Sequence, residues 1–319
     1  MEWNASPSVA LSASAASSSS AVQDADLIIV GVFAPPAKDD DDDGDEKEDK
    51  EEDMEPIVFT GIAKRLDEEL GGALTELAVE NSKAFQNGGS AAGSMTPALR
   101  IASAATTGGK TKRYILLGLG AEGKVSNEGV PPKMEASSIM KVGGAIASAI
   151  HEQKKITTCN VLLPSKITEG ITSKSMLTDF STAYYSGLYV DNRYRTGKKI
   201  ELKAENVQGV TLYLENTADN DDDFTTIGQE AIATGLAIAS GCSLTKDIVN
   251  APHNVLNSES LAETAQRIAA ESGGSITCTI LGKEECEARG MGAYLGVARG
   301  SETEPQFIHL TYKPKGEIK

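Results

Sequence analysis

Aromatic residues are scarce in this chain, 5% of the total with a single tryptophan. That scarcity argues against a ligand platform of stacked rings, and the abundant Ala and Gly favour helices packed closely on a sheet. Cysteine is equally sparse. Cys159, Cys242, Cys278 and Cys286 are widely spaced and form no CxxC pair. A disulfide framework and a structural zinc site are thereby set aside, and reduced, mostly buried thiols in a reducing compartment are expected. No apolar run approaches the roughly 20 residues that a membrane helix requires; the best, Leu27 to Phe33, has the length of a strand. Basic residues are absent before Lys38, and Glu2 stands near the start, whereas transit peptides are basic and poor in acid. Residues 1–23 therefore read as a mobile or partly extended lead-in, and a cytoplasmic location is expected ahead of a plastid one.

Positive charge is the remaining shortage. Thirty Lys and Arg face 46 Asp and Glu, for a formal net charge of -16. Most of this is local, because Asp39 to Glu55 holds 13 acidic residues against Lys47 and Lys50, leaving about -5 on the rest. Such a field repels nucleic acid and anionic membranes, so neither is an expected partner. A block of like charges cannot collapse, and residues 38–55 are expected to be a disordered acidic insertion in a surface loop. The run lacks the terminal Glu that a calcium loop needs at a fixed offset, Lys50 standing there instead.

What remains is ordinary globular material. The chain has 319 residues, 40% hydrophobic and 24% charged, enough for two domains. Strand patterns fall near residues 24–33, at Tyr114–Leu117, Thr158–Leu163 and Gly209–Leu214. Helical periodicity appears within Gly61–Ala78, broken at Gly71-Gly72, and over Ala136–Glu152 and Ser175–Tyr189. Leu99 to Ala102 leads toward a hairpin tip at Gly108-Gly109. Strands alternating with helices imply an α/β domain, residues 24–215, whose mostly parallel sheet is covered on both faces. Residues 216–223 form a polar, acidic break and read as a linker. Beyond it come a long helix over Phe224–Val249, a helix from Ser258 to Gly273-Gly274, a strand at Ser275–Leu281, a short helix at Lys283–Arg289 and a strand at Gln306–Tyr312. Two strands rarely support a domain, so residues 224–319 look like the first part of one.

Motif spacing by itself nominates no active site. Gly118-Leu-Gly120-Ala-Glu-Gly123 matches G-x-G-x-x-G after a strand, but no helix can begin until well past Pro131-Pro132, so a plain glycine-rich turn is expected. His151, His253 and His309 share no ligand spacing, and neither H-E-x-x-H nor G-x-S-x-G occurs.

The stretch from Thr245 is more specific. Thr245-Lys-Asp-Ile-Val-Asn250-Ala-Pro252-His-Asn254-Val-Leu256-Asn-Ser258 resembles the leucyl aminopeptidase (cytosol aminopeptidase) segment R-D-L-V-N-x-P-x-N-x-L-x-P/S. Gly290-Met291-Gly292 through Val297 to Gly300-Ser301 resembles that family's G-M-G-x-x-x-x-V-x-x-G-S signature. Phe307 to Tyr312 resembles the strand before its first metal-binding segment. In the early part of the chain the likeness rests on element order and Tyr114–Gly120. The resemblance implies a macro-like α/β N-terminal domain followed by a peptidase domain, incomplete here, in a homo-hexamer. It also implies peptides with a free N-terminus as substrates and two divalent ions, manganese or zinc (magnesium in some members), as cofactors. The family draws its metal ligands and catalytic groups from G-K-G-x-x-[FY]-D-[ST]-G-G and N-T-D-A-E-G-R segments, and neither occurs in these 319 residues. The resemblance therefore assigns no catalytic, cofactor-binding or metal residue to this chain; those residues would lie beyond Lys319, and the polypeptide reads as C-terminally truncated and inactive alone. For Pro252, Asn254, Gly290 and Gly292 a structural role is expected: Pro252 stopping the long helix, Asn254 satisfying loop backbone groups, the glycines allowing a tight turn before a strand. Two other readings stay open: a non-catalytic macro-like module for nucleotide binding or oligomerisation, and a regulator acting through Asp39–Glu55.

Overall fold

The computed structural model describes residues 9–16, 18–34, 57–81, 92–102, 111–121, 136–164, 174–200, 204–215 and 221–314. The acidic run expected to be a disordered insertion lies outside them, as do Gly123 and the Gly108-Gly109 tip. Two compact units emerge, divided between Ser243 and Leu244.

The larger unit is built on six strands: β1 (Ala10–Ala16), β2 (Leu27–Ala34), β3 (Leu99–Ala102), β4 (Thr111–Ala121), β5 (Thr158–Leu163) and β6 (Gly209–Glu215). Their spatial order is β1-β6-β5-β2-β4-β3, all neighbours parallel except the antiparallel edge pair β3–β4. Alternation along each strand assigns the faces. Ile28, Val30, Leu116 and Leu162 pack with Ile62, Leu66, Leu74 and Leu77 from α2 (Gly61–Glu69) and α3 (Ala73–Glu80). Leu27, Ile29, Leu117, Val161 and Leu163 pack on the other side with Ile139, Val142, Ile146, Phe180 and Tyr184 from α4 (Ala136–Glu152) and α5 (Lys174–Gly187). Because both faces are covered, the central strands read as unbroken apolar runs.

One expectation is corrected here. Part of the N-terminal stretch, expected to be a mobile or partly extended lead-in outside the 24–215 domain, is a strand of its sheet: β1 runs beside β6 from Ala10↔Gly209 to Ala16↔Glu215, followed by the short α1 (Ser19–Gln23). Its Ser/Ala composition hides a period of two in which Leu11 and Ala13 are buried, and the Leu11 amide donates to the Tyr185 hydroxyl at 3.1 Å. Small side chains at a sheet edge still form a ladder when a partner strand is supplied.

The break at Gly71-Gly72 divides two helices as the periodicity predicts. Asp67 stitches them, its carboxylate accepting from the Leu74 amide at 2.7 Å and the Thr75 amide at 3.1 Å, so it serves α3 as a capping residue would.

Helix α6 (Asp221–Asn250) starts in the larger unit, where Ala231, Ile232 and Ala239 join the core. The unit boundary falls inside it, between Ser243 and Leu244, and not at 216–223. Its segment Thr226–Asn250 is long and apolar enough, with mean hydropathy 1.2, to cross a membrane by length and composition. Only 22% of that window is buried, Ala231, Ile232 and Ala239 being among the residues of it that join the core.

The smaller unit carries α7 (Ser258–Glu271), β7 (Ile276–Leu281), α8 (Lys283–Ala288), α9 (Gly292–Ala298) and β8 (Phe307–Tyr312). Asn257 caps α7: its side chain accepts from the Ser260 amide at 3.0 Å, and the Asn257 amide donates to Ser260 Oγ at 2.9 Å. Strands β7 and β8 form an antiparallel pair. The turn at Gly290, with φ of 70°, leads into helix α9 and not into a strand, since the Leu295 amide closes a helical turn onto Met291 O.

Candidate functional site

The sequence features that invite a chemical reading are dispersed. Gly118 and Gly120 lie within β4 and not in a turn after it. The Gly118 amide donates to Ser94 O and its carbonyl accepts from the Gly93 amide, both at 2.8 Å. An amide engaged in a ladder is not available to cradle a phosphate, so this loop offers no nucleotide site at Gly118.

The three histidines occupy different elements. His151 stands in the last turn of α4, His253 in the exposed loop after α6, and His309 on β8, exposed, with Nε2 3.5 Å from Thr311 Oγ1. Among the described residues no three His, Cys, Asp or Glu side chains converge as metal ligands would. These residues therefore do not fit a pair of divalent cations, which require several anionic groups around a spacing of roughly 3.5–4 Å.

The motif from Thr245 has a structural part to play. Asp247 is 1% exposed on α6, a buried carboxylate between exposed Thr245 and exposed Val249 and Asn250. Past the helix end, Pro252 O accepts from the Val255 and Leu256 amides at 2.8 and 2.9 Å. Backbone groups close this turn, while the Asn254 side chain, expected to do so, is exposed.

The thiols separate by environment. Cys159 in β5 is buried and its pKa is pushed well up by burial; Cys286 is buried with Sγ 3.7 Å from Leu281 O; Cys242 is exposed. Thiolate is the reactive form, so a bulky disulfide reagent should modify Cys242 promptly in the native protein and leave Cys159 and Cys286 untouched until denaturant is added. Peptide mapping of the labelled protein checks this, and native labelling of Cys159 would contradict the packing of β5. Beside Cys159, the Tyr184 hydroxyl is buried without a hydrogen-bond partner among the described residues, and burial likewise raises its pKa.

Comparison with known proteins adds what geometry does not. The family model described as "Cytosol aminopeptidase family, N-terminal domain" matches residues 29–198, over half of the chain, and "Cytosol aminopeptidase family, catalytic domain" matches residues 243–319. A probable cytosol aminopeptidase of Picosynechococcus is 34% identical over 254 residues, covering 79% of this chain and 43% of the relative. One from Rippkaea orientalis is 32% identical over 266 residues, covering 82% and 45%. The chain thus spans less than half the length of these relatives. Among solved structures, a mutant of tomato leucine aminopeptidase superposes with TM-score 0.66 at 24% identity, over 100% of this chain and 54% of that one. The bottromycin maturation enzyme BotP, in complex with Mn, gives 0.54 at 18% identity, over 91% and 45%. At those identities the two structures speak for the fold alone.

Proposed function

The chain belongs to the cytosol aminopeptidase family, and on that premise we propose that the protein it represents is a leucyl aminopeptidase-type metallo-exopeptidase, removing N-terminal residues from peptides in intracellular protein turnover. The observation that carries the reading is the match of residues 243–319 to the catalytic-domain model, in the stretch holding the Thr245–Ser258, Gly290–Ser301 and Phe307–Tyr312 motifs. The reaction class brings two divalent ions, manganese or zinc, that polarise the scissile carbonyl and lower the pKa of the attacking water. Binding of Mn by BotP supports such metal use in a protein of related fold. Substrates would be peptides with a free N-terminus, the location cytoplasmic, and the assembly of the whole protein a homo-hexamer, with neither nucleic acid nor membrane as a partner.

Within these 319 residues we assign no catalytic or metal-binding role. The G-K-G and N-T-D-A-E-G-R segments are absent from the sequence, and the described residues present no convergent ligand set. Their contribution on this reading is scaffold: a sheet domain and the motif-bearing start of the catalytic domain. Incubated with a leucyl chromogenic substrate and manganese, the purified 319-residue chain is expected to release product no faster than buffer. Manganese-dependent release that survives repurification and disappears with chelator would overturn the assignment of the chemistry to other segments.

A further inference from the structure

Strands β3 and β4 bring two arginines side by side. Antiparallel pairing sets Arg100 directly opposite Arg113, so both side chains rise from one face of the sheet, with Cβ atoms roughly 4.5–5.5 Å apart. That face is the one α4 covers. Arg113 alternates with buried Ile115 and Leu117, and its Nη1 donates at 3.2 Å to Oε1 of Gln153, just past the end of α4. Like charges directly opposite one another destabilise a sheet unless an anion offsets them. Among the described residues neither arginine forms an ion pair. Partial burial and then the positive charge of Arg100 lower the pKa of Arg113, with Asp26 opposing them. Asp26 is already engaged, its Oδ2 accepting from the Thr157 amide and hydroxyl at 2.7 and 2.6 Å. Nor does the neighbouring sequence supply an acid. Between Glu80 and Glu122 there is no Asp or Glu, whereas Lys83, Arg100, Lys110, Lys112 and Arg113 all fall there, in a chain whose acids outnumber its bases 46 to 30.

We propose that Arg100 and Arg113 form a binding site for a small phosphate-bearing ligand, seated between their two guanidinium groups. A phosphate group offers three oxygens, enough to engage two planar forks at once, whereas a carboxylate is filled by one. Gln153 commits its carbonyl oxygen to Arg113 and so keeps its NH2 group to donate to the ligand. Exposed Lys154, one residue on, adds positive charge nearby. Lys112 takes no part, because it lies on the opposite face, where its Nζ donates to Gln23 O. The net charge of -16 opposes a long polyanion far more than a single phosphate group. The site stands near the start of β4, at the other end of that strand from Gly118 and Gly120, and it does not depend on the peptidase reading.

Thermal melts of the full 319-residue chain at constant ionic strength test this. Replacing chloride with about 20 mM inorganic phosphate is expected to raise the midpoint by at least about 2 °C, and acetate should give less than about half of that. Arg100→Gln should lose the phosphate response while melting, in chloride, at or above the parent, since the repulsion is gone. Arg100→Glu should also ignore phosphate, because its carboxylate supplies internally the charge that the ligand brings. Lys64→Gln, at an exposed position of α2 across the sheet, should respond as the parent does. A phosphate effect no larger than that of acetate, an Arg100 variant that still responds, a Lys64→Gln variant that does not, or an Arg100→Gln variant melting below the parent in chloride would each overturn the proposal.

Discussion

Gly143→Val is expected to abolish the cooperative unfolding transition of the larger unit, or to lower its stability by more than about 3 kcal/mol. Helices α4 and α5 cross at this glycine. A Cβ there would lie 2.4 Å from Phe180 O and 3.2 Å from the Tyr184 amide nitrogen. Both obstacles are backbone, so no rotamer change can make room and the helices would have to separate. Separation would loosen Phe180 and Tyr184, 1% and 0% exposed, which anchor that face of the sheet. Valine adds two further methyl groups and the restricted χ1 of a β-branched residue in a helix. The neighbouring Gly144 supplies the control. Nothing lies within 4 Å of a Cβ built there, so Gly144→Ala should be neutral or stabilising by up to about 1 kcal/mol through helix propensity. Urea midpoints of the two variants check the pair. Equal midpoints would mean that the crossing is looser than the geometry states.

Glu215→Ala should cost about 2–4 kcal/mol, a buried unsatisfied donor adding to lost packing. The Glu215 side chain, 6% exposed at the end of β6, reaches the first turn of α2, where Oε1 accepts from the Ile62 amide. A carboxylate at a helix N-terminus meets both the orphan amides and the positive end of the macrodipole. Gly61 is shaped to that contact: its φ is +57°, and a Cβ would fall 2.5 Å from Oε2. Removing the carboxylate therefore unties the helix that covers one face of the sheet from the strand beneath it. Glu215→Gln keeps an acceptor oxygen and should recover about half of the loss, whereas a purely space-filling role would be rescued better by Leu. The ranking Gln above Leu in thermal melts is the discriminating result.

Much of the architecture was legible before any coordinate. In α4 the apolar residues Ile139, Val142, Ile146 and Ile150 mark one helical stripe, and all four are buried. Thr158–Leu163 is a strand with the bounds its apolar run implies, and α7 begins at Ser258 as its pattern implies. The family was readable too, because its motifs between Thr245 and Tyr312 are spelled in contiguous residues. Other features resisted. β1 is written in serine and alanine and becomes a strand only because Gly209–Glu215, some 199 positions away, lies beside it. Gly118 and Gly120 imitate a phosphate loop in the sequence, yet the Gly93–Ser94 backbone draws Gly118 into a ladder. Gly290 and Gly292 suggested a turn into a strand, and the turn leads instead into α9.

The sequence by itself determined the class of the protein, the order of its main helices and strands, and the family to which it belongs, since period, capping and motif are all carried by residues near one another in the chain. Tertiary structure alone decided that the N-terminal serines and alanines close the sheet edge, that Gly143 and Gly61 are places where another backbone or a carboxylate comes within contact distance, and that the two units divide inside α6 without any change of composition. The reason is one of range. Local pattern depends on a residue and its neighbours, whereas close approach and strand pairing depend on groups that become neighbours only when the chain has folded.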